Sequence, residues 1–561
     1  MAKSRKRKKS GAGAPQRRRP AALRPPSERE TALLGAAVSL QRSGQWQRAE
    51  AACEELLSLN PRHFDACHLR GVLALQQGQA SVAALWFKQA LVQKGDVAAV
   101  HTNLGRALEQ LGQQEAAANA YEIAIELNPA DWIAASRLGT VCERQGDFAR
   151  AERVYETALQ HTPDQPEILG KLAFLYETQN RLDAAATVAQ RGLELAADDP
   201  IANLVLAKCE RRQGEQASAL ARLERTLSRD PRAVTIKELH YELGGLYDLS
   251  RRCDEAFDRF QTANRLAARQ FGGRIGSQTQ HFRQASVLQQ VFTADWVSGW
   301  QPAPPSDFPP PAFLIGFPRS GTTLLEHILA AHPQIRTLEE RPTISTLKLQ
   351  LANMPGGYPQ ALATLSDAQI LQLRATYAEL AGLPSAADSG KTIVDKYPLN
   401  LLNVGIILRI FPNARFIFVL RHPCDACLSC FMQHFGMNDA MANFLTLEDT
   451  VAFYVQAMRL WEVYERVFAP RVVTVRYEDV LEDMPEELRC LLSFLELPWA
   501  DKVLEYAALA RERDKINTPS YHQVVEPVHQ AARGRWQRYQ TQFSTLLPQL
   551  QPFLERFGYA D

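Results

Sequence analysis

From about Thr31 the chain repeats itself every 34 residues: Ala49, Ala83, Ala117, Ala151, Ala185 and Ala219 share that step, as do Gly71, Gly105 and Gly139. The aromatic series Phe87, Tyr121 and Tyr155 keeps the same register, and Pro61, Pro129 and Pro163 close their units, with Gly95 at the equivalent place in the second. This periodicity constrains the fold more tightly than any other feature. A unit of this length holds two helices and a turn, with small residues where the helices cross, an aromatic ring filling the space between them, and proline ending the second helix. One such unit cannot bury its apolar face alone, so the units must stack. Six units reach Pro231, and a seventh, carrying Gly244, Ala256, Phe260 and Ala263, follows an insertion of three residues. An all-α solenoid over residues 31–266 is therefore predicted, its recurring residues spent on packing and its concave face left for any partner.

The remaining chain is organised differently. Residues 1–27 hold ten Lys or Arg and no acid within a chain of net charge +1, so the body is mildly acidic, at about −9. This basic tail lacks apolar periodicity, and residues 1–30 are read as a solvated, disordered segment; contact with nucleic acid or an anionic membrane is the less favoured reading. With no apolar run of bilayer length and no apolar core after the basic start, a cytoplasmic protein is expected. Nine scattered cysteines fit reduced thiols. Residues 267–311 are read as a connector ending in QPAPPSDFPPP, whose six prolines favour a stiff extended linker, and the domain boundary is placed there.

Beyond it, strand-like runs (AFLIGF, TIVDK, ARFIFVL, RVVTVRY) alternate with helical ones, which predicts an α/β domain with a parallel sheet over residues 312–561. Met354 to Lys391 reads as an inserted helix with polar flanks, a lid or wall or a mere spacer. The run Ala312–Thr323, AFLIGFPRSGTT, passes from a buried strand into a loop and then a helix, where free backbone N–H groups and the positive end of the helix dipole attract anions. Against the triphosphate loop G-x-x-x-x-G-K-[ST], Gly316, Gly321 and Thr323 match, but Thr322 replaces the lysine and Arg319 lies within the loop. An ATPase fits poorly. A second strand ends at Arg421, and Arg421 with Ser429 offers a guanidinium and a hydroxyl for a second, separate phosphate.

The 34-residue unit resembles the tetratricopeptide repeat. Residues 312–536 resemble the sulfotransferases that use 3′-phosphoadenosine 5′-phosphosulfate (PAPS), especially the tyrosylprotein branch, on four stretches: PRSGTTLLEHILAAHP, the EER that follows, DKYP and LRHPCDACLSCF. The resemblance implies a P-loop-like parallel sheet and PAPS as donor, with no metal. It implies that Arg319, Ser320, Gly321, Thr322 and Thr323 hold the 5′-phosphosulfate, while Arg421 and Ser429 hold the 3′-phosphate. It assigns Glu340 as general base, with Glu339 the alternate, and Lys396, beside Arg319, to the oxygen that becomes negative as the S–O bond breaks. A buried, apolar neighbourhood is expected to raise the Glu340 pKa. Tyr477 corresponds to a residue near the adenosine, Ser520 to a serine near the sulfate, and Arg533 to the late basic loop over the 3′-phosphate. Glu526 stands where the tyrosylprotein pattern has lysine and Pro342 where it has its recognition arginine, so the acceptor stays open between a protein tyrosine and another hydroxyl.

Cys424, Cys427 and Cys430 form C-x-x-C-x-x-C, the spacing of an iron–sulfur or zinc site, but without a fourth cysteine they are read as small core residues on a helix. His332 and His422 are assigned to capping or packing. Two functions result. One is a sulfotransferase whose solenoid recruits a protein or peptide acceptor; the other is a scaffold whose C-terminal domain binds nucleotide without turnover. A nucleotide-triphosphate kinase is disfavoured by Thr322.

Overall fold

The structure, a computed structural model, describes residues 27–230, 235–273, 275–306, 308–383, 390–506 and 533–560. The chain divides into two compact units, Met1–Val205 and Leu206–Asp561. The division falls inside the repeats and not at the proline-rich stretch.

The first unit holds five antiparallel helix pairs, from Glu28–Arg42 with Trp46–Leu59 through to Pro166–Thr178 with Leu182–Leu195. Each pair closes as its spacing dictates. A methyl group on Gly105 would lie 2.5 Å from the Tyr121 ring, and one on Gly71 would lie 2.5 Å from Phe87, so the recurring glycine is a contact surface for the recurring aromatic. The turn inside each pair carries a second 34-residue signal, a left-handed residue at Gly44, Gly78, Gly112, Gly146 and Asn180, with φ between 61° and 75°.

In the second unit the repeat pattern ends with Ile236–Leu249 and Cys253–Phe271, paired by the same Gly244–Phe260 contact. Helices Gln280–Val291 and Ala294–Ser298 then pack on the long helix Leu447–Phe468, with Phe292 buried among Trp296, Trp300, Tyr464 and Phe468. The proline-rich stretch that follows is strapped to the domain. The buried Arg374 donates through Nη1 to the carbonyls of Pro304 and Pro305, both at 2.8 Å, and the buried Arg409 donates to Gln301 at 3.0 Å. Prolines cannot donate hydrogen bonds but keep their carbonyls, and the buried Arg374 guanidinium uses two of them.

Five strands form one parallel sheet in the order β2-β3-β1-β4-β5: β1 Ala312–Gly316, β2 Ile335–Glu339, β3 Thr392–Lys396, β4 Arg415–Leu420 and β5 Arg471–Arg476. Four were predicted. The fifth, β2 (IRTLE), is an edge strand whose Arg336, Thr337 and Glu339 keep partial exposure, so it lacks the continuous apolar signature of its neighbours. The segment read as an inserted helix is a helix at Asp367–Ala381, preceded by a 3₁₀ turn at Gln360–Thr364. Beneath the sheet's end, the fully buried Asp395 accepts hydrogen bonds from Thr343 and Tyr377, each at 2.8 Å. No helix among the described residues is long and apolar enough to cross a membrane.

Gly105→Ala should destabilise the first unit by about 1–3 kcal/mol, because a methyl in a filled contact forces the ring aside. A lowered urea midpoint by circular dichroism would show it; an unchanged midpoint would mean the aromatic is not held against the glycine.

Candidate active site

Parallel strands all present their carboxyl ends on one edge, and the residue after each strand enters the same crevice. Across the sheet this edge carries Glu340 after β2, Lys396 at the end of β3, the loop 317–321 after β1, Arg421 after β4 and Tyr477 after β5.

The loop after β1 is bent by two left-handed residues, Arg319 at φ 67° and Gly321 at φ 103°. Gly321 is also pinned sterically, since a Cβ there would lie 2.6 Å from Cδ2 of Tyr477. Such a bend turns successive N–H groups toward one point, and the helix Thr322–Ala330 begins immediately after it. Ser320, Thr322 and Thr323 are buried around it.

Arg319 donates through Nε to Oγ of the buried Ser429 at 3.1 Å, and its carbonyl accepts from Arg421 Nη1 at 3.0 Å. Burial, reinforced by the neighbouring Arg421 and Arg535 charges, pulls the Arg319 guanidinium down to about 10. Positive charge is thus concentrated at the junction of β1 and β4. Arg421 lies over the Tyr477 ring at 5.1 Å, so the residues expected to hold two phosphates and an adenosine are brought together.

On the other side of the loop, the side chain of Lys396 is fully buried. Its Nζ donates to Glu340 Oε1 at 2.8 Å and pairs with Glu326 Oε2 at 3.1 Å. Burial alone would lower the ammonium's pKa; the two carboxylates outweigh it and raise it. The backbone of Glu340 continues the β2–β3 ladder, its N–H donating to the Lys396 carbonyl at 2.9 Å. Glu340 itself adopts a left-handed φ of 41° and keeps 40% of its side chain exposed. The buried apolar surroundings expected for it are absent. A residue that ends an edge strand and turns outward meets solvent on one side, and the enclosed carboxylate is instead Glu326, pushed up to about 7 by burial against the pull of Lys396. Glu326 was not singled out in the sequence. Its signal was a charged residue inside the apolar run TTLLEHILA. Glu339, half-buried, lines a polar hollow with Glu326, Arg336, Arg341 and Lys391.

The late basic segment is sorted by the fold. Arg533 is 54% exposed and pairs with the exposed Glu482 at 3.5 Å, whereas Arg535 is one of the charges acting on Arg319. The backbone N–H groups of Gly534 and Trp536 donate to the buried Asp425 at 2.7 and 2.8 Å, and Trp536 stacks on His422 with ring centroids 5.1 Å apart. His422 also caps its helix by accepting from Cys424 N–H at 3.2 Å, and both ring nitrogens of His332 are engaged, with Pro498 O and Gln334 N. Cys424, Cys427 and Cys430 are all buried on the helix Pro423–Phe431, where burial raises their thiol pKa values and favours the neutral form. Ser520 and Glu526 lie outside the described residues.

A buried ammonium flanked by carboxylates, beside a loop of inward N–H groups and two guanidinium groups, is suited to moving an anionic group between oxygens. Residues 310–501 match the Sulfotransferase family. Residues 34–98, 102–166 and 144–209 match tetratricopeptide-repeat families. An Aquifex aeolicus (strain VF5) protein named only as uncharacterized is 30% identical over 249 residues, covering 43% of this chain and 32% of that protein. The protein-tyrosine sulfotransferase of Drosophila melanogaster is 26% identical over 244 residues, covering 40% of this chain and 47% of that one. Protein-tyrosine sulfotransferase 1 of Danio rerio is 26% identical over 260 residues, covering 45% and 72%. The chain thus spans about a third and about half of the first two relatives. The sulfotransferase-like domain is the part with the parallel sheet, and its described candidate site residues other than Arg533 gather at one sheet edge.

The raised Glu326 carboxyl makes stability depend on pH. A carboxyl with a folded pKa near 7, against an ordinary 4.5, contributes stability that is complete below 4.5 and lost as pH rises through 7. Glu326→Gln should remove that loss, flattening the pH profile of the melting temperature between 4.5 and 8 and gaining about 1–3 kcal/mol relative to wild type at the alkaline end. A variant profile parallel to wild type would show that Glu326 is ionised throughout.

Proposed function

We propose that this protein transfers a sulfuryl group from PAPS to an acceptor hydroxyl, a protein tyrosine being the acceptor that the relatives favour, and that the repeat solenoid recruits the protein carrying it. The observation that carries this reading is the order of charges along the sheet edge: carboxylate, ammonium, anion-binding loop, paired guanidinium groups. The absence of a side chain at Gly321 supports the reading as well, because it lets the Tyr477 ring pack directly on the loop backbone, where a Cβ would lie 2.6 Å from Cδ2.

PAPS, when bound, supplies the sulfuryl group and leaves as 3′,5′-adenosine bisphosphate. Loop residues Ser320 to Thr323 offer N–H groups and hydroxyls to the 5′ end, while Arg421 and Ser429 take the 3′-phosphate. Glu340, partly exposed, is open to an incoming hydroxyl and accepts its proton as the new S–O bond forms. Lys396 and Arg319 stabilise the negative charge that develops on the departing phosphate oxygen, an interaction stronger in the transition state than in the ground state. The Lys396–Glu340 pair couples these roles. Both carboxylates hold Lys396 in its charged form, and Glu326 stays paired with it when Glu340 takes up a proton.

Labelled PAPS with tyrosine-containing peptides or cell extract should give label transfer, reduced about 10²–10³-fold by Glu340→Ala or Lys396→Ala. Transfer unaffected by both substitutions would refute the assigned roles. Binding of 3′,5′-adenosine bisphosphate with no transfer to any acceptor would favour a nucleotide-binding scaffold, and stronger thermal stabilisation by ATP than by the bisphosphate would favour a kinase.

A further inference from the structure

The last repeat and the donor side of the sulfotransferase-like domain meet at one buried carboxylate. Asp248, in the final turn of helix Ile236–Leu249, is 5% exposed and gathers three partners from the late basic segment. Arg535 Nη2 lies 2.9 Å from its Oδ2, Arg538 Nη2 lies 3.2 Å from its Oδ1, and the Tyr539 hydroxyl donates to Oδ1 at 2.7 Å. Its backbone carbonyl accepts from Arg538 Nη1 at 3.0 Å. Other repeat residues attach the same unit to the domain. Asn264 donates to the Phe431 carbonyl at 2.9 Å, and Phe257 stacks on Phe431 with centroids 4.8 Å apart.

Two guanidinium groups on one carboxylate leave a surplus positive charge, and it is not spent within the cluster. Nε of Arg535 is buried without a hydrogen-bond partner, and Arg535 acts electrostatically on Arg319 in the anion loop. A buried donor without an acceptor is costly, and an anionic ligand beside it would recover that cost. The residues on either side of Arg535 are meanwhile fixed to the domain, Gly534 and Trp536 on Asp425, and Trp536 on His422 next to Arg421. Arg535 is therefore held at both ends, by its backbone to the helix that carries Ser429 and by its side chain to the repeat.

We propose that Asp248 is a positioning residue for the donor site: by anchoring Arg535 and Tyr539 it sets the late basic segment against Arg319 and Arg421, so that the last repeat is a built-in part of phosphate binding. This rests on the PAPS reading above and adds that the repeats do more than present an acceptor. It also identifies Arg535, more than the exposed Arg533, as the guanidinium of this segment that serves the donor.

The test uses the full chain and 3′,5′-adenosine bisphosphate, with affinity read by calorimetry and, under turnover, the KM for donor and for acceptor read separately. Asp248→Asn should weaken bisphosphate binding and raise the donor KM about tenfold, leaving the acceptor KM unchanged. Asp248→Glu, which keeps the charge, should recover part of the loss, and Asp254→Asn, at the exposed contact with Gln542, should change nothing. Because Asp248 acts through Arg535, the double variant Asp248→Asn with Arg535→Gln should bind no worse than Arg535→Gln alone. If Asp248→Asn does not fold, Tyr539→Phe removes one anchoring bond and should still weaken binding about two- to threefold. Wild-type affinity in the folded Asp248 or Tyr539 variant, or additive effects in the double variant, would overturn the inference alone. A wild-type chain that does not bind the bisphosphate would overturn the donor reading and this inference with it.

Discussion

An ammonium group with no exposed surface is stable only where carboxylates stand close by, and Lys396 has two. Their origins explain much of the domain. Lys396 ends β3, Glu340 follows β2, and Glu326 lies on the helix that leaves the anion loop, so one ion cluster ties together two strands and the first crossover. Removing Lys396 would leave two carboxylates facing each other without their cation, one of them buried. In the proposed function the same cluster supplies a base on the open side of the sheet edge and a cation for the departing oxygen beside the loop, so stability and chemistry would rest on the same residues.

The other half of the edge works by surplus charge. Arg319 and Arg421 share hydrogen bonds with Ser429 and with the loop backbone, and Arg319 is depressed to about 10 by burial and by like charges nearby. Carboxylates stand behind these groups: Asp425 holds the backbone of Gly534 and Trp536, Glu478 accepts from His422 N–H and the Tyr559 hydroxyl, and Asp248 holds Arg535. Acidic side chains thus build the frame while basic ones face the crevice, an arrangement that attracts a polyanion without collapsing onto itself.

How far the sequence could be read depended on how local each signal was. The repeats were legible because every unit restates the same glycine–aromatic contact, and four strands were legible because strands buried on both faces are apolar throughout. β2 was missed because an edge strand mixes exposed and buried positions over only five residues. Glu340, Lys396, Arg319 and Arg421 were singled out by motif spacing, yet the exposure of Glu340 was not foreseen, since spacing says nothing about which neighbour encloses a side chain. Glu326, Asp425 and Asp248 look like ordinary helical acids in sequence. Their importance comes from partners far away in the chain: 70 positions from Lys396 for Glu326, about 110 from Gly534 for Asp425, and nearly 290 from Arg535 for Asp248.

By itself, then, the sequence determined the helical solenoid, the parallel sheet, the anion loop and the residue types at each strand end, because periodicity, apolar runs and turn chemistry act over a few residues at a time. Tertiary structure alone decided which carboxylate is buried, which late arginine acts on Arg319, and that the proline-rich stretch is a strap held by Arg374 and Arg409. It also placed the last repeat in the same compact unit as the sheet. These outcomes depend on burial and on charge pairing between distant segments, and both exist only once the chain has folded.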